Sequence, residues 1–209
     1  MLLALLSWLA CFVVLARLHT WLPFAFVGVC LTMVSLLFRA VPWALLKPSF
    51  RNLGLGVAGG VLMVLLTHLA YGWVSVLVPG VRAATQELLA LLNVAGFSAS
   101  ARATLIIVIA SCEEVLFRGL LPKLALRREL TEVRWPSPAE FTRLLGFALV
   151  YALTTAPLGS PLLVLCAFLC GSIWGVMRLA TGSLIVPILA HVIWDLGVLL
   201  AWPLITLAR

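Results

Sequence analysis

Five ionisable residues stand where an apolar sequence should have none. Glu113, Glu114 and Arg118 interrupt a run that otherwise reads Leu105, Ile106, Ile107, Val108, Ile109, Leu116, Phe117, and His191 and Asp195 interrupt a second one. Each charge at the centre of a bilayer costs about 2.5–3.5 kcal/mol on insertion scales, so such groups must face a protein interior, pair, or shed charge, and they are candidates for chemistry by default. On a helix Glu114 and Arg118 are four residues apart and share a stripe, which predicts an internal ion pair. Glu113 is rotated from them by about 100° and has no such partner on its own helix. It is therefore the freer carboxylate, the one suited to act as a general base. His191 and Asp195 are again four apart and share a face. Of the three histidines only His191 has a carboxylate one turn away, whereas His19 at a segment end and His68 alone in a long apolar run suit interfacial or packing roles. A buried ionic lock joining two helices would explain the pairs, but it leaves the unpaired Glu113 without a purpose.

The elements that must position these residues are helices in a membrane. The 209 residues are 64% hydrophobic and 10% charged, with a mean hydropathy of +1.21, against about 25% charged residues in ordinary soluble domains. Seven apolar segments can be marked: Leu2 to Ala16, Trp21 to Phe38, Leu53 to Val78, Ala103 to Leu121, Pro138 to Thr155, Leu162 to Met177 and Leu184 to Leu207. They lack the alternation of a barrel, which leaves helices as the spanning structure. The expected fold is an all-α polytopic bundle of about seven transmembrane helices, residues 1–209 forming a single integral membrane domain. Met1-Leu2-Leu3-Ala4 has no basic flank, as expected for a first membrane helix rather than a cleaved signal.

The net charge of +7 does not indicate nucleic acid, because the basic residues collect between apolar runs. Arg39, Lys47, Arg51, Lys123, Arg127, Arg128, Arg134, Arg143 and Arg178 fall on one side and Arg17, Arg82, Arg102 and Arg209 on the other. The richer side is expected to be cytoplasmic, which places the N-terminus inside. Arg82 to Val94, carrying Glu87 and Asn93, reads as an interfacial helix or loop, and Lys123 to Arg134 as an amphipathic cytoplasmic extension ending at Trp135-Pro136. Ser137-Pro138-Ala139-Glu140 has the spacing of a capping box with proline at the first helical position. Pro187, four residues before His191, is expected to kink the last helix. Gly54-x-Gly56-x-x-Gly59 has the letters of a dinucleotide fingerprint without its strand-turn-helix setting, so it reads, like Gly171-x-x-x-Gly175, as close helix packing. Cys11, Cys30, Cys112, Cys166 and Cys170 lie in apolar runs without CxxC spacing and read as reduced packing residues.

Glu113-Glu114-Val115-Leu116-Phe117-Arg118 resembles the EExxxR motif of the CAAX prenyl protease 2 and bacteriocin-processing (CPBP, Abi) family of intramembrane peptidases. The stretch from Gly171 through Gly175, Arg178, Gly182 and Pro187 to His191-Val-Ile-Trp-Asp195 is similar to that family's closing glycine-spaced helix, turn and HxxxN/D helix. The resemblance covers residues 103 to 197 as a catalytic core. It implies a glutamic endopeptidase that hydrolyses a peptide bond of a membrane-anchored protein or peptide with water activated by Glu113, supported by Glu114 and Arg118. His191 and Asp195 would then polarise the scissile carbonyl and stabilise the oxyanion. No metal or other cofactor is implied, and HExxH is absent. The family's middle motif, FxxxH, aligns with Tyr151-Ala152-Leu153-Thr154-Thr155, which puts Thr155 in the water-positioning place of histidine. Few lysines beside many arginines suggest a GC-rich bacterial genome and an inner-membrane location. Sorting-tag processing of the myxosortase kind, or leader processing, then becomes the expected activity. The absent histidine motivates the alternative: a non-proteolytic relative serving as scaffold, immunity factor or proton-coupled carrier.

Overall fold

The computed structural model describes residues 2–92, 97–126 and 137–204. Among these, every apolar segment marked above is helical and there is no strand. The chain is an all-α membrane protein. Helix α1 (Leu2–Leu18) and α2 (Leu22–Leu37) form an antiparallel pair, followed by a short turn of 3₁₀ helix at Trp43–Leu46, the long α3 (Phe50–Leu77) and the amphipathic α4 (Val81–Leu92). Helix α5 (Ala99–Glu114) runs on through a π-helical turn, Val115–Leu120, into α6 (Leu121–Leu126). Helices α7 (Pro138–Thr154) and α8 (Pro161–Thr181) form a second hairpin, and α9 (Ile185–Leu196) ends in another π-helical turn, Gly197–Ala201. Of the expected extension after Lys123, residues 127–134 and Trp135-Pro136 lie outside the described residues, as do Asn93, Val94, residues 205–207 of the last segment, and Arg209.

Among the described residues, three helices are long and apolar enough to cross a membrane: Phe50–Leu77, Pro138–Leu158 and Pro161–Thr181. Leu2–Leu18, Leu22–Leu37 and Ile185–Ala201 are apolar but shorter. At 1.5 Å per residue the 28 residues of α3 extend about 42 Å, more than the roughly 30 Å hydrocarbon core of a bilayer. Its outer face leaves Leu62, Leu65, Leu66, Leu69 and Trp73 exposed, a surface that lipid tails solvate and water does not.

Glycine sets the spacing of the bundle where α3 lies along α9. A Cβ on Gly56 would stand 2.8 Å from Leu189 Cβ, and one on Gly60 would stand 2.8 Å from Ile193 Cβ. These two positions, one turn apart, let the backbones approach, as the small-residue reading of the glycine run expects. Trp194 Nε1 donates to Thr67 Oγ1 at 2.8 Å across the same contact. Gly171 and Gly175 do the same for α8 against α7, where a Cβ would meet Tyr151 Cδ1 at 3.0 Å and Leu144 Cγ at 2.9 Å. On the opposite side, Trp8 and Phe12 of α1, Phe24 of α2 and Phe117 pack edge to face, and Phe117 meets Tyr151 in the same way at 4.9 Å.

Local signals fix the helix ends. Ser137 accepts from Glu140 N while Glu140 Oε2 accepts from Ser137 N at 2.9 Å, the complete capping box read from the sequence. Gly182, with φ of 65°, closes α8 in the left-handed region that favours glycine. The turn that follows is pinned when Leu184 N donates to Leu45 O at 2.9 Å. Helix α9 therefore starts at Ile185, and Pro187 falls in its first turn, where an N–H has no intrahelical acceptor to lose. The expected proline kink does not arise there. The distortions lie instead at the two π-helical turns, one directly after Glu114 and one two residues after Asp195. Leu121 N and Trp202 N each reach back five residues, to Leu116 O and Gly197 O. Such turns recur at functional sites because the inserted residue re-aims its neighbours.

Candidate active site

Helices α5 and α9 pack side by side, bringing the Glu114–Arg118 and His191–Asp195 pairs of the sequence, with Glu113, into one cluster. Glu114 is completely buried, and its Oε1 accepts from Arg118 Nη1 at 3.0 Å and from His191 Nδ1 at 2.8 Å. The first contact is the i, i+4 pair expected from spacing; the second crosses between helices. Because Nδ1 serves Glu114, the other ring nitrogen of His191 points the opposite way. Its Nε2 lies 3.4 Å from Asp195 Oδ2 and 3.7 Å from Glu113 Oε2. The imidazole, 3% exposed, is clamped flat by Trp174, whose ring stacks on it at 3.6 Å with the planes 20° apart.

The two glutamates thus occupy different environments, as the helical rotation between them requires. Glu114 is held from two sides by charge-assisted hydrogen bonds. Glu113 accepts one hydrogen bond, from Tyr151 Oη at 2.9 Å, and its 3.7 Å approach to His191 is longer than a direct hydrogen bond. Arg118 also lies over the Tyr151 ring at 4.6 Å and near the Trp174 ring at 5.3 Å, so one guanidinium joins the acidic pair to both aromatic walls. Asp195, at 20% side-chain exposure, is the most open member of the cluster.

Glu113, Glu114, Arg118, His191 and Asp195, all singled out in the sequence, therefore converge. Thr155 stands apart in its bonding: it is buried, and its hydroxyl donates to Ala152 O in its own helix at 2.8 Å. The α7 residue that touches Glu113 is Tyr151. The stretch Phe147-Ala148-Leu149-Val150-Tyr151 has the same spacing as FxxxH one turn earlier, so a one-turn shift in alignment places Tyr151 where histidine was expected. Its phenol occupies the inner face of α7 opposite Glu113. Trp174 had no distinguishing signal in the sequence, since an aromatic in a membrane helix reads as packing. His68, expected to pack, does so: it stacks on Trp202 at 3.9 Å, with Nε2 2.8 Å from Trp202 O and Nδ1 2.9 Å from Val64 O. The five cysteines are free thiols. Among the described residues no group of three or more His, Cys, Asp or Glu is arranged to hold a metal ion.

The basic residues also differ from their expected setting. Arg178 is not in a loop facing headgroups but in the last turn of α8, buried to 3% exposure. Arg143 sits inside α7 and Lys123 inside α6. Lys123 Nζ donates to Arg39 O at 3.3 Å, so the Arg39 turn and α6 share one end of the bundle, as the charge count supposed. Arg127, Arg128 and Arg134 lie outside the described residues.

An all-α membrane protein whose buried carboxylates and histidine meet between two helices defines the class of a membrane-embedded acid–histidine site. Residues 95–197, about half of the chain, match the family model described as type II CAAX prenyl endopeptidase Rce1-like, and the chain belongs to that family. At family level this makes it a CAAX-type intramembrane protease, a hydrolase working in a membrane on peptide substrates. No curated protein and no solved structure gives a significant match.

Proposed function

We propose that the protein is a glutamic-type intramembrane endopeptidase that cuts a membrane-anchored protein or peptide with water activated by Glu113. One observation carries this reading: Glu113 Oε2 and His191 Nε2 face each other at 3.7 Å while Glu114 is already engaged by Arg118 and by His191 Nδ1. A water held beside the line joining those two atoms can bond to both. Glu113 takes a proton from it as its oxygen adds to the scissile carbonyl carbon. His191, kept in orientation by Glu114 and Trp174, donates a hydrogen bond from Nε2 to the oxyanion, with Asp195 beside the same nitrogen as counter-charge to the ring. Collapse of the adduct breaks the C–N bond, and Glu113 returns the proton to the leaving amine. Preorganised donors at a developing oxyanion are typically worth about 3–4 kcal/mol.

Tyr151 replaces the histidine of the middle motif in this scheme. Its hydroxyl cannot act as a base at neutral pH, but it fixes the Glu113 carboxylate and can shift its donation to the substrate oxygen. Thr155 is then a helix-terminal packing residue, and the water is positioned from Tyr151. No metal or cofactor enters any step.

The described helices act in this reading as one membrane domain, with residues 103–197 supplying the chemistry and α3 supporting α9. The bundle end that carries Arg39 and Lys123 faces the cytoplasm of a bacterial inner membrane. Removal of a sorting tag or leader from an anchored protein is the reaction that fits a site enclosed by apolar helices. The test compares membranes expressing wild type and Glu113→Gln by intact-mass proteomics. Specific proteins should keep a terminal segment only in the variant, and those termini name the substrate. Identical profiles with both proteins folded and abundant overturn the proposal in favour of a scaffold, immunity or carrier role.

A further inference from the structure

The α3 side of α9 carries a second polar knot, which the proposed reaction leaves unused. His68 of α3 is 5% exposed, and each of its ring nitrogens meets a backbone carbonyl: Nδ1 lies 2.9 Å from Val64 O and Nε2 2.8 Å from Trp202 O. A carbonyl oxygen only accepts, and a neutral imidazole has one N–H to give. In either neutral tautomer one nitrogen lone pair would stand against an oxygen lone pair within hydrogen-bond distance. Both contacts are satisfied together only by the imidazolium, which donates twice. The Trp202 indole lies flat on the same ring, with 3.9 Å between centroids and 20° between planes, and its π face suits a cation.

No neighbouring charge explains the arrangement. One turn along α3, Tyr71 is buried and its hydroxyl finds no partner among the described residues. On α9, Asp195 and His191 engage each other at 3.4 Å, and on α4 Arg82 and Glu87 are exposed. Among the described residues His68 has no ion pair with any of them.

The two carbonyls belong to one mechanical unit. Trp202 closes the π-helical turn that ends α9, its N donating to Gly197 O at 2.8 Å. Gly197, at the other end of that turn, rests on Val64, since a Cβ there would stand 2.6 Å from Val64 Cγ2. Trp194 Nε1 is bonded to Thr67, the residue before His68. Val64, Thr67 and His68 thus hold Trp194, Gly197 and Trp202, and Asp195 lies within the span they hold.

We propose that His68 is a positioning residue that, as the imidazolium, ties the π-helical end of α9 to α3 and thereby sets Asp195 against His191. Loss of one ring proton frees one of the two carbonyls, so the tie is tight while the ring is protonated and slackens as the pH rises. That Asp195 serves a reaction rests on the protease reading; the tie does not.

The full chain is labelled with ring-¹⁵N histidine and purified in a maltoside detergent, and His19→Gln and His191→Ala assign the three histidines. Spectra and melting temperatures are followed from about pH 5 to about pH 8, the range in which imidazole changes charge. Both His68 nitrogens should be protonated at the acid end, and one should become bare toward the alkaline end. A bare His68 nitrogen at the acid end overturns the proposal. The wild type should lose about 2–4 °C in melting temperature relative to His68→Gln over the same range, the scale of one hydrogen bond in a chain of this size. Parallel curves overturn the tie, and where His68→Gln does not fold, the wild-type spectra still decide the protonation. In His68→Gln the His191 signals should move, because Asp195 turns away from its ring; His191 signals identical to those of wild type overturn the positioning role. None of these readouts needs a substrate. If membranes of wild type and Glu113→Gln show identical protein termini while the His68 signals behave as expected, the tie stands and the protease reading falls.

Discussion

The two sides of α9 are built by opposite means. Toward α3 the contact is dry and close: Gly56 and Gly60 admit Leu189 and Ile193, and the polar link is Trp194 to Thr67. Toward α5 it is ionic, with His191 held by Glu114 on one nitrogen and facing Glu113 and Asp195 with the other. In a bilayer the hydrophobic effect does little to join two helices, so shape complementarity on the α3 side has to supply the affinity. The α5 side then has freedom to hold groups that would not by themselves keep helices together. Buried ion pairs often contribute little net stability after desolvation. Under the proposed mechanism the division assigns position to one face and chemistry to the other.

Variants on each face should break different properties. The largest stability effect is expected from Arg118→Met, which leaves Glu114 with a buried, half-compensated charge. It should cost about 3–5 kcal/mol by thermal or denaturant unfolding in detergent. The double variant Arg118→Met with Glu114→Leu should recover most of that loss and remain folded. A single variant as stable as wild type would mean that the pair is not buried as described. Next comes Gly60→Val on the dry face, where the new side chain overlaps Ile193 Cβ and Ala190 O. Overpacking should cost about 1–3 kcal/mol and loosen α9, lowering stability and activity together, whereas Glu113→Gln should lower activity alone. Tyr151→Phe should have a smaller effect, about 1 kcal/mol in stability for the lost hydrogen bond to Glu113. Its activity should fall further than that of Thr155→Val, since the Thr155 hydroxyl is bonded within its own helix. The reverse order would restore Thr155 as the water-positioning residue. Smallest, and on neither face, is Ser137→Ala, at about 1 kcal/mol from loss of the α7 cap, with no change in cleavage specificity.

What the sequence made legible follows from what helical periodicity can reach. Glu114 with Arg118 and His191 with Asp195 are relations within one helix, and both are present at the expected spacing. The capping box at Ser137 and the small-residue packing of Gly56, Gly171 and Gly175 were equally local. Relations between helices were legible only as types. An isolated Glu113 and an acid-flanked His191 had to meet something, but which nitrogen would face which carboxylate depends on helix rotation, and π-helical turns at Val115–Leu120 and Gly197–Ala201 alter that rotation without a sequence mark. Pro187 misled because its effect depends on where the helix begins. A shift of one or two residues at the Gly182 turn moves it from helix interior to first turn. The contact of Tyr151 with Glu113 was not legible, because two registers one turn apart on α7 present the same face and the sequence does not say which of them meets Glu113. Arg178 looked like a loop residue because α8 continues a turn beyond the apolar run.

The central claim is that Glu113 and His191 act as one unit across α5 and α9. Cleavage rates of a substrate named by the proteomic comparison should be measured for wild type, Glu113→Gln, His191→Ala and the double variant, each checked for an unchanged fold. Groups that act on the same step are not additive, so either single change should lower the rate by about 10²–10⁴-fold and the double variant should fall little further. Losses that multiply, or a Glu113→Gln protein that cuts at the wild-type rate, would contradict the account.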